Sequence, residues 1–397
     1  MEVRTLNNEE ERNDYAKLTR YAFESNKNNY DNMEYPWETI LLTDLYGCFL
    51  NNKLISGTTI ASFPGVRIRS KDFQVRGIAG VASKPEHRNR GAVKETFNKI
   101  FRGTYENYPI SILYPFKFSY YESLGYQQAG EQVLWQVKIS DIKRIQFPNR
   151  WFEEVYEITD DIKSVYNQFL NKFNYMMHRS DGDWERKGKD CFKFVCYDEK
   201  DNPVGYVLFK FLSGPDRHIT DPDNTLFMMD WAFLDSTTKK AILTDLVWSH
   251  RDHRKYIAFI APVSEIFEPL FTNPRIENKR LRPMSMIRII NIQKALETLD
   301  YSNMDFEMKL KIDDPLCAWN NHIFLLKSVD GNINVEECDS DDFDLEIDIG
   351  SFSQLFVGFR SIYELMEFDL VTINNSACVD LIDILFPKCV NYLRDFF

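Results

Sequence analysis

The chain has few of the residues that build metal or redox centres. Its six histidines are dispersed, with no His-Glu-x-x-His, and its seven cysteines are scattered with no Cys-x-x-Cys. A zinc protease, a zinc ribbon and a disulfide framework are thereby disfavoured, no metal is expected, and a reducing, cytoplasmic setting fits. His250 and His253 stand close in Ser-His-Arg-Asp-His, but lack a third ligand and read as a solvated helix end. No apolar run is long enough to span a bilayer, and the acidic start MEVRTLNNEEER is no signal peptide, so no membrane association is expected. No Gly-Lys-Ser/Thr loop and no G-x-G-x-x-G fingerprint occurs. Internal repeats and low-complexity segments are also missing.

What is present is a globular chain of 397 residues, 44% hydrophobic and 27% charged, with length for two or three domains. Its net charge of −12 argues against a nucleic-acid partner and is compatible with a cationic substrate.

The most informative run is Gly77 to Val93, GIAGVASKPEHRNRGAV. An apolar strand feeds a basic turn, Glu86 to Gly91, and the turn feeds a helix with Val93, Phe97, Ile100 and Phe101 on one side. A helix N-terminus offers unpaired N–H groups and the positive end of the macrodipole. Gly91 lets backbone approach a ligand, while Arg88 and Arg90 add positive charge. Together they read as a seat for a pyrophosphate, or else as a plain strand-to-helix turn with two solvated arginines.

Three parts follow from the coarse pattern. Residues 1–146 read as a helix over 9–25, a hairpin turned at Asn51-Asn52, the 73–82 strand, the basic turn and its helix. An apolar strand from Ile110, a short helix stopped by Gly125 and a closing strand over 133–139 complete that part. Residues 147–283 repeat the alternation without an Arg-x-x-Gly turn. They hold a helix capped at Asp160, a hairpin around 199–202, and a helix over 237–249 between two strands. A basic, proline-bounded connector, Pro274 to Pro283, marks the next boundary. Residues 284–397 show period-2 strands at 306–312 and 345–349, then a helix capped by Ser351. The expectation is a mixed α/β (α+β) protein. Eight acids between Glu336 and Asp348 read as a solvated turn and strand face, or as an electrostatic funnel.

The basic turn resembles motif A of the GNAT N-acetyltransferases. Arg88-Asn89-Arg90-Gly91-Ala92 follows Arg-x-x-Gly-x, and Val93 departs where a small residue is usual. The longer run Ile-Ala-Gly-Val-Ala-x-x-Pro-x-x-Arg-x-Arg-Gly is similar to the Eis-like (enhanced intracellular survival) subfamily, in which a bulkier residue at that position is common. The resemblance implies two GNAT-type mixed-sheet domains, the second degenerate, and a sterol-carrier-like third domain. It implies acetyl-CoA as co-substrate, with Arg88, Asn89, Arg90, Gly91, Ala92 and Val93 around the pyrophosphate and Val81, Ala82 and Ser83 along the pantetheine arm. It further implies a small-molecule or peptide amine as acceptor, aminoglycoside-like, polyamine or lysine, and a homo-oligomer, hexameric in close relatives.

Amine acetylation needs a proton acceptor for the amine and a proton donor for the departing thiolate. The segment Tyr120-Tyr121-Glu122-Ser123-Leu124-Gly125-Tyr126 matches the Eis-like Tyr-x-x-x-Gly-Tyr element, which makes Tyr121 the implied acid. Tyr120 is its neighbouring alternative, and a buried core aromatic is the plain reading. The sequence closes on Leu393-Arg394-Asp395-Phe396-Phe397, unusually apolar for a terminus. In Eis-like enzymes the carboxylate of a final Phe is the general base, and Phe397 matches it; desolvation would raise its pKa. An aromatic clamp between domains is the structural alternative, and Glu34 or His87 acting through water is another base. Two rival functions stay open: a lipid- or small-ligand-binding protein with a relic CoA site, and a transferase of longer acyl groups.

Overall fold

The computed structural model describes residues 1–23, 44–216, 218–273, 275–276, 278–301 and 304–396. The chain opens with β1 (Glu2–Thr5) and α1 (Glu9–Phe23), then the hairpin β2 (Leu45–Leu50) and β3 (Lys53–Ser62). Asn51 and Asn52 turn it with φ of 50° and 60°, the mirror-image turn that suits strand twist. A small hairpin, β4 (Val66–Ile68) and β5 (Lys71–Phe73), leads to β6 (Val75–Ser83) and α2 (Ala92–Thr104). Then come β7 (Ile110–Leu113), the short α3 (Phe118–Glu122) and β8 (Gln127–Gln128). Helix α2 buries Val93, Phe97, Ile100 and Phe101, the face their spacing predicts.

The second unit contains β9 (Glu131–Lys138), β10 (Arg150–Val155), α4 (Asp160–Leu170), β11 (Met176–Met177) and α5 (Asp181–Gly188). It continues through β12 (Phe192–Asp198), β13 (Pro203–Phe211), β14 (Thr225–Phe233), α6 (Ser236–Ala241), β15 (Tyr256–Pro262) and β16 (Asn278–Pro283). The third holds β17 (Met286–Ile289), α7 (Ile292–Thr298), β18 (Phe306–Asp313), β19 (Ile323–Val329) and β20 (Asn332–Cys338). It ends with β21 (Leu345–Asp348), α8 (Ile349–Phe356), α9 (Ile362–Glu367), β22 (Val371–Ile373) and α10 (Ala377–Leu385).

Among the described residues the strands form four sheets, ordered β1-β2-β3-β6-β7-β17-β8, β10-β12-β13-β14-β15-β9-β16, β20-β19-β18-β21-β22 and the small β11-β4-β5. The two large sheets exchange strands. The strand expected to close the first sheet is β9, and it pairs instead with β15 and β16 in the second. In return β17, beyond the expected connector, inserts between β7 and β8. All four residues of β17 are buried, so a central position suits it. The connector itself holds β16, an edge strand, and its Pro274 and Glu277 lie outside the described residues. Each large sheet contains one parallel pair, β6 with β7 and β14 with β15, crossed over by α2 and by α6 with its continuation.

Two helix caps fall elsewhere than expected. Thr159, not Asp160, accepts the Ile162 N–H, and Asp348, not Ser351, accepts the Gly350 and Ser351 N–H groups. In both cases the capping residue is the last extended one, which leaves Asp160 and Ser351 inside the helix. The acids from Asp342 to Asp348 serve as turn, cap and ion-pair partners of the third sheet, as with Asp344 accepting from Lys309 N–H at 2.7 Å and Glu346 pairing with Lys311 at 2.8 Å. The third unit is tied to the first by Arg288 of β17. It is fully buried, holds both Asp314 oxygens at 2.6 and 2.7 Å, and donates to the Leu124 carbonyl at 2.6 Å.

Candidate active site

Strand β6 is bent where the site begins. Gly57 pairs with Ala82 and Thr59 with Ala79, so Thr58 alone faces both Gly80 and Val81, a β-bulge. Gly80 has φ of 60°, and a Cβ there would collide with the Tyr15 hydroxyl. The Tyr15 hydroxyl donates to the Gly80 carbonyl at 2.8 Å, Thr58 to Ala79 at 2.9 Å, and Ser56 to Ala82 at 2.9 Å. On its other side β6 pairs with β7 only from Val75 to Ile78, and among the described residues no strand takes over from there through the bulge. The β7-facing edge from Ala79 to Ser83 therefore offers backbone groups to a ligand, and Val81, Ala82 and Ser83 lie in that stretch.

The basic turn continues directly from it. Asn89 has φ of 59° and Gly91 of 80°, left-handed conformations of the kind from which anion-binding backbone turns are built. Gly91 stands at the head of α2, and among the described residues no side chain caps it and nothing lies within 4 Å of where its Cβ would be. Arg88 and Arg90 are exposed, and among the described residues neither pairs with a carboxylate. Arg88 folds back to donate to the Ser83 carbonyl at 3.4 Å. Ala92 and Val93 bury their side chains, so what they offer a ligand is backbone N–H. The residues present thus fit a pyrophosphate: an uncapped helix head, a glycine cradle and two unpaired cations. The equivalent crossover of the second unit differs. There the Asp235 carboxylate accepts the Thr238 N–H at 2.8 Å and pairs with Arg150 at 3.1 Å, so its own anion occupies the helix head.

Tyr121 lies on α3, buried at 3% exposure, its ring 6.5 Å from Phe97 and 5.2 Å from Tyr120. Burial pushes its hydroxyl pKa well up, with Tyr120 adding to the shift. Among the described residues no hydrogen bond is made to that hydroxyl. Tyr120 is more open, and burial raises its pKa as well. Tyr126 is fully buried against Ser111, 2.6 Å away, as a packing residue.

Residues 392–396 run between the first and second units beside these elements. The Tyr114 hydroxyl, just past β7, donates to the Asp395 carbonyl at 2.7 Å, and its ring lies 4.6 Å from Phe396. The Asp395 carboxylate takes Arg179 at 2.9 Å and Lys187 at 3.2 Å. Arg179 also holds Asp230 at 2.6 Å, Arg394 pairs with Asp230, and the Tyr206 hydroxyl donates to Asp230 at 2.8 Å. Burial alone would raise the Asp395 pKa, but Arg179 and Lys187 outweigh it and hold the carboxyl well below its ordinary range. The same balance, with Arg179 and Arg394, lowers Asp230. Phe397 and Glu34 lie outside the described residues. His87 is half-buried beside the turn, and its Nδ1 has no partner among the described residues.

The turn and Tyr121 are marked in the sequence, whereas the roles of Gly80, Tyr15, Tyr114, Arg179 and Asp230 emerge only in the fold. A glycine inside a strand was the available sign of the bulge. The charged pair gave none, being 51 residues apart in the chain. Among the described residues no cluster of His, Cys, Asp or Glu could hold a metal, and no helix is long and apolar enough to cross a membrane.

Residues 2–129 match an acetyltransferase (GNAT) domain model, residues 176–289 match a second acetyltransferase (GNAT) domain model, and residues 292–394 match a sterol carrier protein domain model. The chain is therefore an enzyme of the GNAT acetyltransferase class. It has the Eis-like architecture, two GNAT domains followed by a sterol carrier domain. The fold is shared with a probable N-acyltransferase from Enterococcus faecalis at TM-score 0.85 and 22% identity, covering 100% of this chain and 99% of that one. A GCN5-related N-acetyltransferase from Anabaena variabilis is similar at TM-score 0.85 and 21% identity, with 100% of both chains covered. Eis1 from Mycobacterium abscessus is similar at TM-score 0.74 and 15% identity, again with 100% of both covered. A comparison with curated protein sequences finds no match.

Proposed function

We propose that the protein is an acetyl-CoA-dependent N-acetyltransferase acting on a primary amine in a ternary complex. The observation that carries this reading is the uncapped head of α2, continuous with the unpaired edge of β6, in a chain whose second, equivalent helix head is closed by Asp235. The first sheet, completed by β17, belongs to the catalytic unit, the second sheet, which includes β9, to the degenerate copy, and the residues after β17 to the sterol-carrier-like unit. Arg88, Arg90 and the N–H groups from Asn89 to Val93 hold the pyrophosphate, while Val81, Ala82 and Ser83 hold the pantetheine arm by backbone. N–H groups on the same edge stabilise the thioester oxygen as it gains charge.

The amine nitrogen attacks the thioester carbon and the C–S bond breaks. The Phe397 carboxylate accepts the proton lost by the amine, and Tyr121 gives its phenolic proton to the thiolate. Tyr121 suits that role because burial keeps it protonated at neutral pH. The assignment to Phe397 is carried over from the Eis-like resemblance, and the anchoring of residues 392–396 beside β7 supports it. The acceptor is a small-molecule or peptide amine, cationic before reaction. A homo-oligomer, hexameric by resemblance, and a cytoplasmic setting belong to the same proposal. Light scattering in solution reads the former.

A chain extended by a few residues beyond Phe397 tests the mechanism. It should fold and bind acetyl-CoA but release almost no thiol. Full turnover by the extended chain would remove the carboxylate from the mechanism.

A further inference from the structure

Phe396 lines two cavities. One, of about 280 Å³, is bounded by Tyr114, Met228, Trp231, Ile260, Arg282 and Arg394. The other, of about 390 Å³, opens between α5, β13 and Asp395. Both touch Met229 and Phe396, so they adjoin one another along the tail.

Their charge is opposite to that of the chain. In the buried cluster three cations, Arg179, Lys187 and Arg394, share two carboxylates, Asp230 and Asp395. In the larger cavity Arg186 is matched by Asp183. Lys189 and Lys210 line the same cavity and make no ion pair among the described residues, and of the three carboxylates in its lining Asp183 and Asp395 are engaged by Arg186, Arg179 and Lys187, which leaves Asp190. The described walls thus carry excess positive charge in a chain of net charge −12. Cations gathered in a concave, partly desolvated place repel one another and focus the field on whatever enters. Lys187 shows the strain: burial lowers its pKa, and Asp395, already engaged by Arg179, offsets only part of that.

We infer that the amine acceptor also carries an anionic group, a carboxylate or a phosphate, held by Lys187, Lys189 and Lys210 in the larger cavity. This rests on the transferase reading and narrows its acceptor to amino-acid-like or phosphorylated amines rather than polycations. The reacting amine then lies on the Tyr114 side of Phe396 and the anion on the α5 side. The subsite takes no part in bond making; it selects and orients.

Calorimetry with 5-aminopentanoate, O-phosphoethanolamine and cadaverine reads the subsite without turnover. At least one of the anionic amines should bind about tenfold more tightly than cadaverine, a difference set by one added charged contact. Tighter 5-aminopentanoate assigns a carboxylate, and tighter O-phosphoethanolamine a phosphate. The double variant Lys189→Glu with Lys210→Glu changes a half-buried and an exposed side chain outside the acetyl-CoA residues. It should lose the preference and keep acetyl-CoA binding. Cadaverine binding as well as both anionic amines, or a preference that survives in the variant, overturns the inference. Selective binding with no thiol release from acetyl-CoA would instead overturn the transferase reading and leave the subsite standing.

Discussion

The Tyr114 hydroxyl donates to the Asp395 backbone carbonyl across 2.7 Å, which joins the end of β7 to residues 392–396. Strand β7, which pairs with β6 only as far as Ile78, and the segment leading to Phe397 are thereby held as one piece. Tyr114→Phe keeps the ring against Phe396 and deletes the bond, at a cost of about 1 kcal/mol. Melting should show a small loss of stability. Thiol-release kinetics should show kcat down several-fold with acetyl-CoA affinity unchanged, and an unchanged kcat would make the contact purely structural.

Gly91 heads α2 at φ of 80°, and none of the described residues lies within 4 Å of where its Cβ would be. Gly91→Val places a branched side chain in the cradle and a residue that resists the left-handed conformation, at about 1–2 kcal/mol. Acetyl-CoA binding by calorimetry should weaken about tenfold or more. Circular dichroism should be unchanged. Binding equal to the parent would remove the turn from the pyrophosphate site.

Tyr121→Phe should cut kcat sharply and leave acetyl-CoA affinity intact. Because burial lifts the Tyr121 pKa well above 10, its proton is retained throughout the neutral and moderately alkaline range. The kcat profile should therefore show no alkaline fall traceable to Tyr121 up to about pH 10. A fall that disappears in Tyr121→Phe would contradict this. Full activity in Tyr121→Phe would transfer the role to Tyr120 or to water.

Asp230 is the carboxylate on which Arg179 and Arg394 converge. Asp230→Asn leaves those cations under-compensated in a buried place and should destabilise the fold by about 3–5 kcal/mol, read by denaturant unfolding. The pH dependence has a defined sign. Asp230 and Asp395 both have lowered pKa values in the fold, so their contribution is complete above the unfolded carboxylate value, about 4, and is lost as pH falls below it. Stability should hold from neutrality to about pH 5 as far as this pair is concerned. A loss centred near pH 6 would point to another group.

What was legible in the sequence was local. The turn at Arg88 to Gly91 and the amphipathic α2 are written in consecutive residues, because a helix head, its glycine and its apolar stripe lie within a few turns of chain. Asn51-Asn52 announced its hairpin for the same reason. The exchange of β9 and β17 between sheets was not legible, since a buried strand reads alike in either sheet and only long-range pairing decides. The misplaced caps at Asp160 and Ser351 are one-to-three-residue errors at helix starts, where several side chains compete for the same N–H groups. The Arg179–Asp230–Asp395 cluster was invisible because charged residues scattered along a chain look solvated until the fold collects them. For Phe397 and Glu34 the sequence remains the only source, as both lie outside the described residues.

The most direct test is thiol release from acetyl-CoA against a panel of amines: aminoglycosides, polyamines, lysine peptides, 5-aminopentanoate and a control without amine. The account predicts release that depends on the amine, with N-acetylated product in equal amount. Acetyl-CoA bound but no amine raising release above the control would contradict the transferase account, and acetyl-CoA failing to bind would remove the site at the head of α2 altogether.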